Sequence, residues 1–414
     1  MARRLTRYLR REVAPYSARY RDVLSRPDKG GPQGHDLLAT VPLTTLSDVA
    51  DPADLVLRPN WASLAESGDV GLAARLSWAR LWGREEQANR RIIDGRYKPV
   101  HWVLSGGMPM GASSNDLLTL GDVGRRWLTL AGLGPDDVLV NLLPPGPNLA
   151  WWQVVVGARR AGISAIHLPP IPPAAQVAGF RPSVLAGRPF DLARLLEEAQ
   201  AEACDLSDLD TLLVVGEPLE AGIRARLEAL LRHDDGAVVS AWAPAGVRAL
   251  WGECRYGRGL HTWPDTEVVE IVDPLSGAPA PFGTDGEVVW SALGWRGTVL
   301  LRLRTGVFAM PEDGVCNACG TAGRRLVVSA STPAFLGVLD EHAGVAGWQA
   351  ELRHTGADEE LVVFLSPTAG TRLGPLLAEL DAELSALQYV VLDGPTLEAR
   401  IAAKGDRRVV DTRV

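Results

Sequence analysis

DVLVNLL (137–143), WWQVVVGARRAG (151–162), ISAIHLPP (163–170), PSVLAG (182–187), PFDLARLLEEAQAEA (189–203), TLLVVGEP (211–218), PLEAGIRARLEALLRH (218–233) and GAVVSAW (236–242) follow one another along the chain. Short apolar runs alternate with amphipathic segments of helical length, the pattern of a parallel sheet whose strands are covered by helices on both faces. Past His261 the pattern changes. EVVEIVD (267–273), GEVVWSAL (286–293) and TVLLRLR (298–304) read as strands with no helix between them, separated by turn signals such as PLSGAP and GTDG, so this part is expected to be antiparallel. ELVVFLS, PLLAELDAELSAL and YVVLDG then form a small α+β unit ending in KGDRRVVDTRV. The expected fold is therefore α/β, with a large domain over 1–330, a small α+β domain over 331–414, and a hinge in VVSASTP, which ends at Pro333.

Length and composition agree with two domains: 414 residues, 46% of them hydrophobic, are ample to bury a core. The net charge of -8 is spread without long single-sign runs, which argues against nucleic acid as a partner. No apolar run is long enough to span a bilayer, so no membrane partner and a cytoplasmic location are expected, and a homodimer is left open. The arginine-rich start, MARRLTRYLRREVAPYSARYRDVL, is read as a surface helix continuous with the domain rather than a transit peptide, because it carries Glu12 and lacks an apolar core. Lysine occurs only at positions 29, 98 and 404, so each is worth examining.

The stretch from Ser240 to Cys319 holds three of the four cysteines. Cys254 and His261 stand in a C-x6-H half, and Cys316 and Cys319 in a C-x2-C half. Three thiolates and an imidazole suit tetrahedral zinc, and a C-x-x-C turn presents two sulfurs on one side of a tight loop. With every position filled by protein, such an ion is structural and contributes to folding, here tying the antiparallel region to the parallel sheet. Cys204 is read as a small buried apolar residue. Earlier in the chain, HWVLSGGMPMGASSNDLL (101–118) looks like a strand running into a flexible Gly/Ser loop, a common phosphate cradle because backbone N–H groups can turn inward there. His101 and His167 are placed at strand ends facing a cleft, each either a general base or an ordinary hydrogen-bonded histidine.

Several phrases in this order resemble the phenylacetate-CoA ligase branch of the adenylate-forming superfamily: PYSARYRDVL, VPLTTLSDV, GEPLEAGIRARLE, GECRYGRGLHTWPD followed by VVEIVDPLSGAP, GEVVWSAL, LLRLRTG, VCNACG and RRVVDTR. The resemblance implies a large adenylate-forming-type domain and a small one that rotates between two half-reactions. It also implies ATP-dependent conversion of a carboxylate to an acyl-adenylate, then transfer to a thiol such as CoA or to an amine. The family's phosphate loop resembles SSGTTGKPT; here LSGGMPMG (104–111) keeps Ser105, with Gly106, Gly107 and Gly111, but no threonine and no lysine. The family's magnesium-binding glutamate falls near Pro244, and no acid lies between Ser240 and Gly252. Its ribose-binding aspartate falls on Val307 in RLRTGV. Lys404, in AKGDRRVVDTR, stands one position out of register with the family's adenylate-forming lysine, and is either that lysine or a surface residue. Some relatives carry zinc where Cys254, His261, Cys316 and Cys319 stand. The resemblance places the acyl substrate beside Glu217 and Trp242, with Trp151 close by; alternatively these tryptophans only pack.

Together these features predict a divergent member that has kept the fold, the zinc and a pocket for a small aromatic or acyl molecule, while ATP and magnesium use is impaired and CoA use is open. Bacterial specialised metabolism is the expected setting. The alternatives are a working acid-CoA or amide ligase and a non-catalytic ligand-binding or partner protein, and fold alone does not choose among the three.

Overall fold

A computed structural model describes residues 1–24, 32–59, 70–84, 93–231, 233, 235–281, 283–329, 334–355, 358–384, 387–404 and 408–411. The expected parallel sheet is present. Strands β3 (Val138–Asn141), β4 (Ser164–His167), β5 (Val184–Gly187), β6 (Thr211–Val215) and β7 (Ala237–Trp242) pair in parallel in the order β7-β6-β5-β3-β4. Every residue of β5, β6 and β7 is buried, which explains why these segments read as unbroken apolar runs rather than alternating ones. The helix Leu149–Ala161 starts on the side chain of Asn148, which accepts from the Ala150 N–H at 2.9 Å, and ends at Gly162 with φ 75°.

The antiparallel strands belong to the same sheet. Two short strands, β8 (Trp251–Gly252) and β9 (Leu260–His261), carry it from β7 across to β13 (Ala322–Val328) and on to β12 (Leu303–Val315), β11 (Gly286–Ala292) and β10 (Glu267–Val272), eleven strands among the described residues. The joint between the halves is held by one carboxyl group. Glu267, fully buried, accepts from the indole N–H of Trp251 at 3.0 and 3.1 Å, from that of Trp290 at 2.6 Å, and from the backbone N–H of Trp263 at 2.6 Å. Trp251 lies in β8, the joint strand paired with β7, and Trp290 in β11, so this carboxyl ties the joint to the antiparallel strands.

Two local expectations change. TVLLRLR is not one strand: β12 begins only at Leu303, because the preceding backbone is committed elsewhere, Thr298 N–H to the Gly111 carbonyl and Val299 N–H to that of Leu55. The N-terminal helix is not a surface helix. It runs over Ala2–Tyr8 and continues as a π-helical turn, Leu9–Val13, with Leu5, Leu9 and Val13 entirely buried and the Tyr8 hydroxyl donating to the Trp295 carbonyl at 2.6 Å. Its arginines occupy the outer face and hid the apolar stripe in the sequence.

A second sheet lies C-terminal to 330. β14 (Val345–Thr355) pairs antiparallel with β15 (Asp358–Pro367), while β16 (Gln388–Val391) and β17 (Val409–Asp411) flank them in parallel. Helices Leu373–Leu384 and Gly394–Ala403 complete this α+β unit. Its core is continuous with the large one: Leu336, Leu339, Trp348, Leu376 and Leu380 pack in one cluster with Leu192, Leu196, Ile223 and Leu227. The last four residues of the expected hinge, 330–333, lie outside the described residues. Among the described residues no helix is long and apolar enough to cross a membrane.

Burial raises the Glu267 carboxyl to about 7, against the lowering effect of its three N–H partners. A raised acid binds its proton more tightly folded than unfolded, so its contribution to stability is full below about 4.5 and is lost as pH rises through about 7. Denaturant titrations of wild type and Glu267→Gln between these pH values should show a negative stability slope in the former that flattens in the latter; equal slopes would remove Glu267 as its source.

Candidate active-site cavity and metal centre

A cavity of about 720 Å³ lies at the C-terminal ends of β5, β6 and β7, where open α/β sheets bind ligands. Leu143, Val215 and Leu250 form part of an apolar side, and the small α+β unit closes the other side through Gly347, Ser366 and Arg408.

The segment expected as a flexible phosphate cradle is a tight hairpin. β1 (Pro99–Ser105) and β2 (Met108–Ser113) are joined by the two residues Gly106 and Gly107, at φ 57° and 76°. Positive φ at both turn positions is what a two-residue hairpin of this kind demands, and this is the reason for the glycines. Ser105, Gly106 and Gly107 do line the cavity. The Ser105 hydroxyl oxygen, however, accepts from the Gly246 N–H at 2.9 Å, and a side chain at Gly106 would meet Ala245 Cβ at 2.7 Å. The hairpin tip thus rests on the Pro244–Gly246 turn, the place where the resemblance puts a magnesium-binding glutamate. Gly111 sits inside β2 with its N–H on Thr298 Oγ1 and its carbonyl on Arg248 and Thr298, so it is removed from the candidate cofactor-binding set. Val307 is half-buried against the main core, where an apolar side chain offers a sugar no acceptor.

The other expected site residues separate. Glu217 lines the cavity with its charge already matched: its Oε2 accepts from Arg408 Nη2 at 2.8 Å, both residues are buried, and Arg408 also donates to the Trp348 carbonyl at 3.0 Å and stacks 4.7 Å from the Phe190 ring centroid. Trp242 is 8% exposed, belongs to the core and does not line the cavity. Trp151, His101 and His167 do not line it either. They form an aromatic chain at the outer edge beside β4: His101 stands 4.2 Å from Trp152, Trp152 stands 4.9 Å from Trp151, Trp151 stands 5.6 Å from His167, and Asn141 Nδ2 is 3.2 Å from His167 Nδ1. Burial lowers both histidines, with Arg248 adding to the effect on His101. The two expected bases thus meet tryptophans of the helix Leu149–Ala161, His101 from β1 and the exposed His167 from the end of β4. Lys404 is exposed at the end of the helix Gly394–Ala403, whose Ile401 and Ala402 reach the cavity while Lys404 does not. Cys204 is half-buried rather than buried.

Sequence reasoning missed Arg408 and Asp191. Arg408 stands in the quoted RRVVDTR phrase, but nothing in the chain announces a partner 191 positions away. Asp191, in the first turn of the helix Pro189–Ala201, lines the cavity and is raised to about 7 by burial, with Arg188 and Arg194 opposing and Glu398 and Glu217 reinforcing the shift.

The four metal-ligand candidates converge. Cys254 Sγ, His261, Cys316 Sγ and Cys319 Sγ lie within 4.8 Å of one another, with Cys254 and Cys316 sulfurs 3.9 Å apart and Cys319 Sγ 3.7 Å from His261 Nε2. A tetrahedral ion at about 2.3 Å from thiolates and about 2.0 Å from an imidazole spaces its ligands by about 3.5–3.8 Å, so the set fits a metal ion. The β12–β13 hairpin supplies the knuckle, closed by Cys316 N–H to Thr321 O at 2.9 Å and Gly320 N–H to Cys316 O at 2.8 Å. Opposite it, Gly257 admits the close approach, since a side chain there would stand 2.9 Å from Cys254 Sγ and 3.0 Å from Ala318 Cβ. Burial pushes the Cys254 thiol up; against burial, the N–H groups of Cys319 and Ala318 draw Cys316 down.

No family model matches the chain. It is 28% identical over 228 residues to a phenylacetate-coenzyme A ligase of Thermus thermophilus, covering 52% of this chain and 50% of the relative. With that of Pseudomonas putida it shares 26% over 207 residues, covering 47% and 46%. The chain spans about half the length of the curated relatives it matches. Among solved structures, 2-hydroxyisobutyryl-CoA ligase in its postadenylation state, in complex with R3-HIB-AMP, superposes with a TM-score of 0.69 at 17% identity, over 99% of this chain and 88% of that one. The fold, the order of the quoted phrases and these matches agree: over about half its length the chain is similar in sequence to phenylacetate-coenzyme A ligases, and it shares its fold with an acyl-CoA ligase.

Proposed function

We propose that this protein binds a small aromatic or acyl acid, or its thioester, in the cavity between its two units and acts on it in bacterial specialised metabolism without the ATP-dependent half-reaction. The observation that carries this reading is the packing of the Gly106 turn onto Ala245. The loop that would hold a triphosphate and the turn that would hold its magnesium are in contact with each other, with no carboxylate at the turn and Val307 at the ribose position. The apolar side of the cavity suits an aryl or acyl group, and CoA remains a fitting thiol. We place the domain boundary near 330.

The small unit is held rather than free to rotate. Inter-domain motion is the default for polar interfaces and not for large apolar ones. Here a shared apolar core is reinforced by the Arg408–Glu217 pair, by Arg188 to Glu398 at 3.1 Å, and by Arg226, which binds Glu197 at 2.7 Å and reaches the Val345 carbonyl at 3.3 Å. A fixed arrangement suits one chemical step better than two half-reactions. The Cys254, His261, Cys316 and Cys319 set holds structural zinc: these four residues would ligate it, and the ion would tie β8 and β9 to the β12–β13 hairpin.

Calorimetry should register a saturable aryl acid or acyl thioester and no ATP with magnesium; carboxylate-dependent pyrophosphate exchange would instead favour the working ligase, and binding without turnover the non-catalytic reading. Purified protein should contain one zinc per chain, and Cys319→Ser should lower both metal content and melting temperature, whereas a folded, metal-free wild type would sink the zinc assignment. Arg408→Ala leaves a buried Glu217 unpaired, a loss expected to cost about 3–5 kcal/mol. Amide exchange should rise along Val345–Ala350 while β5 and β6 stay protected; unchanged exchange would show that the small unit is held by something else.

A further inference from the structure

We propose that Arg325 is the positioning residue of the metal centre, holding the Cys316 thiolate in place and offsetting the centre's charge so that the bound ion leaves slowly. The inference rests on the zinc reading above. Three thiolates and a neutral imidazole around a dication leave one net negative charge, and Cys254, His261 and Cys316 are buried, so that charge needs a partner. Arg325 supplies it. Its Nη1 donates to Cys316 Sγ at 2.9 Å, and its Nη2 is held by Glu312 at 2.8 Å, the residue directly opposite it across the β12–β13 pair. On the other edge of β13 its backbone is in register with His261 in β9. One residue therefore stands beside two ligands, bonded to one through its side chain and lying opposite the other across the β9–β13 pair.

Neighbouring arginines do not share this role. Arg255, beside Cys254, turns away to Thr211 at 2.6 Å and the Asp235 carbonyl at 2.9 Å, and Arg258 pairs with Glu228 at 2.9 Å. The planar fork of arginine allows the sulfur and the carboxylate to be bonded at once, which a lysine ammonium does with less fixed geometry. The competing view is an ordinary cross-strand ion pair between Glu312 and Arg325 whose contact with sulfur is incidental. That view predicts a small change in stability and none in metal kinetics.

The two are separated by loading wild type, Arg325→Gln, Arg325→Lys and Glu312→Gln with zinc and timing release to a chromogenic chelator. Parallel samples carry cobalt(II), whose thiolate charge-transfer band reports the electron density on sulfur. Outer partners of metal ligands typically change affinity by about 10- to 100-fold. Release from Arg325→Gln is expected about tenfold faster than from wild type with a displaced cobalt band, Arg325→Lys restoring part of both and Glu312→Gln lying between. Wild-type release rates and an unmoved band in Arg325→Gln overturn the proposal. If that variant fails to fold, wild-type behaviour of both Arg325→Lys and Glu312→Gln overturns it instead. A wild type that binds neither metal removes the zinc reading, and this proposal falls with it.

Discussion

The Glu267 carboxyl is the constraint on which the architecture turns. An eleven-stranded sheet changes from parallel to antiparallel across two strands of only two residues each, too short to hold register by ladder hydrogen bonds alone. The joint is fixed by side chains instead: Glu267 gathers Trp251, Trp263 and Trp290 on one side, and the cysteine-histidine cluster gathers β9 and the β12–β13 hairpin on the other. Glu253 extends the arrangement, accepting from Arg224 at 2.9 and 2.8 Å and from the Ser240 N–H at 3.0 Å. The cavity wall from Ala243 to Leu250 hangs between β7 and β8, so its shape follows from this joint.

On that framework the positions where the resemblance expects nucleotide-binding groups are occupied by packing contacts. Ser105 survives as a structural acceptor, the hairpin tip lies on an alanine, and the glutamate expected beside substrate is matched by an arginine from the small unit. Each of these contacts is locally satisfied, as buried polar groups in a folded core are. Asp191 also stands on the cavity wall, an acid raised to about 7 by burial, with Glu398 and Glu217 reinforcing and Arg188 and Arg194 opposing.

Much of this was legible beforehand, and the failures share a cause. Fully buried parallel strands announce themselves as apolar runs, and C-x6-H with C-x2-C announces a ligand set whatever the distance between the halves. His101, His167, Trp151 and Trp242 were misplaced because their residue types suit a site as well as a core, and only neighbours distinguish the two. The buried face of the N-terminal helix was masked by arginines on its outer face.

By itself the sequence determined the class of fold, the change of strand direction after His261, the Cys3His set whose side chains converge, and the absence of an acid between Ser240 and Gly252 and at Val307, because these are written in residue type and spacing. Only the tertiary structure decided that Gly106 meets Ala245, that Arg408 neutralises Glu217, that Arg325 reaches Cys316, and that both units share a core. Those are contacts between residues far apart in the chain, and pairing at a distance leaves no local periodicity to read.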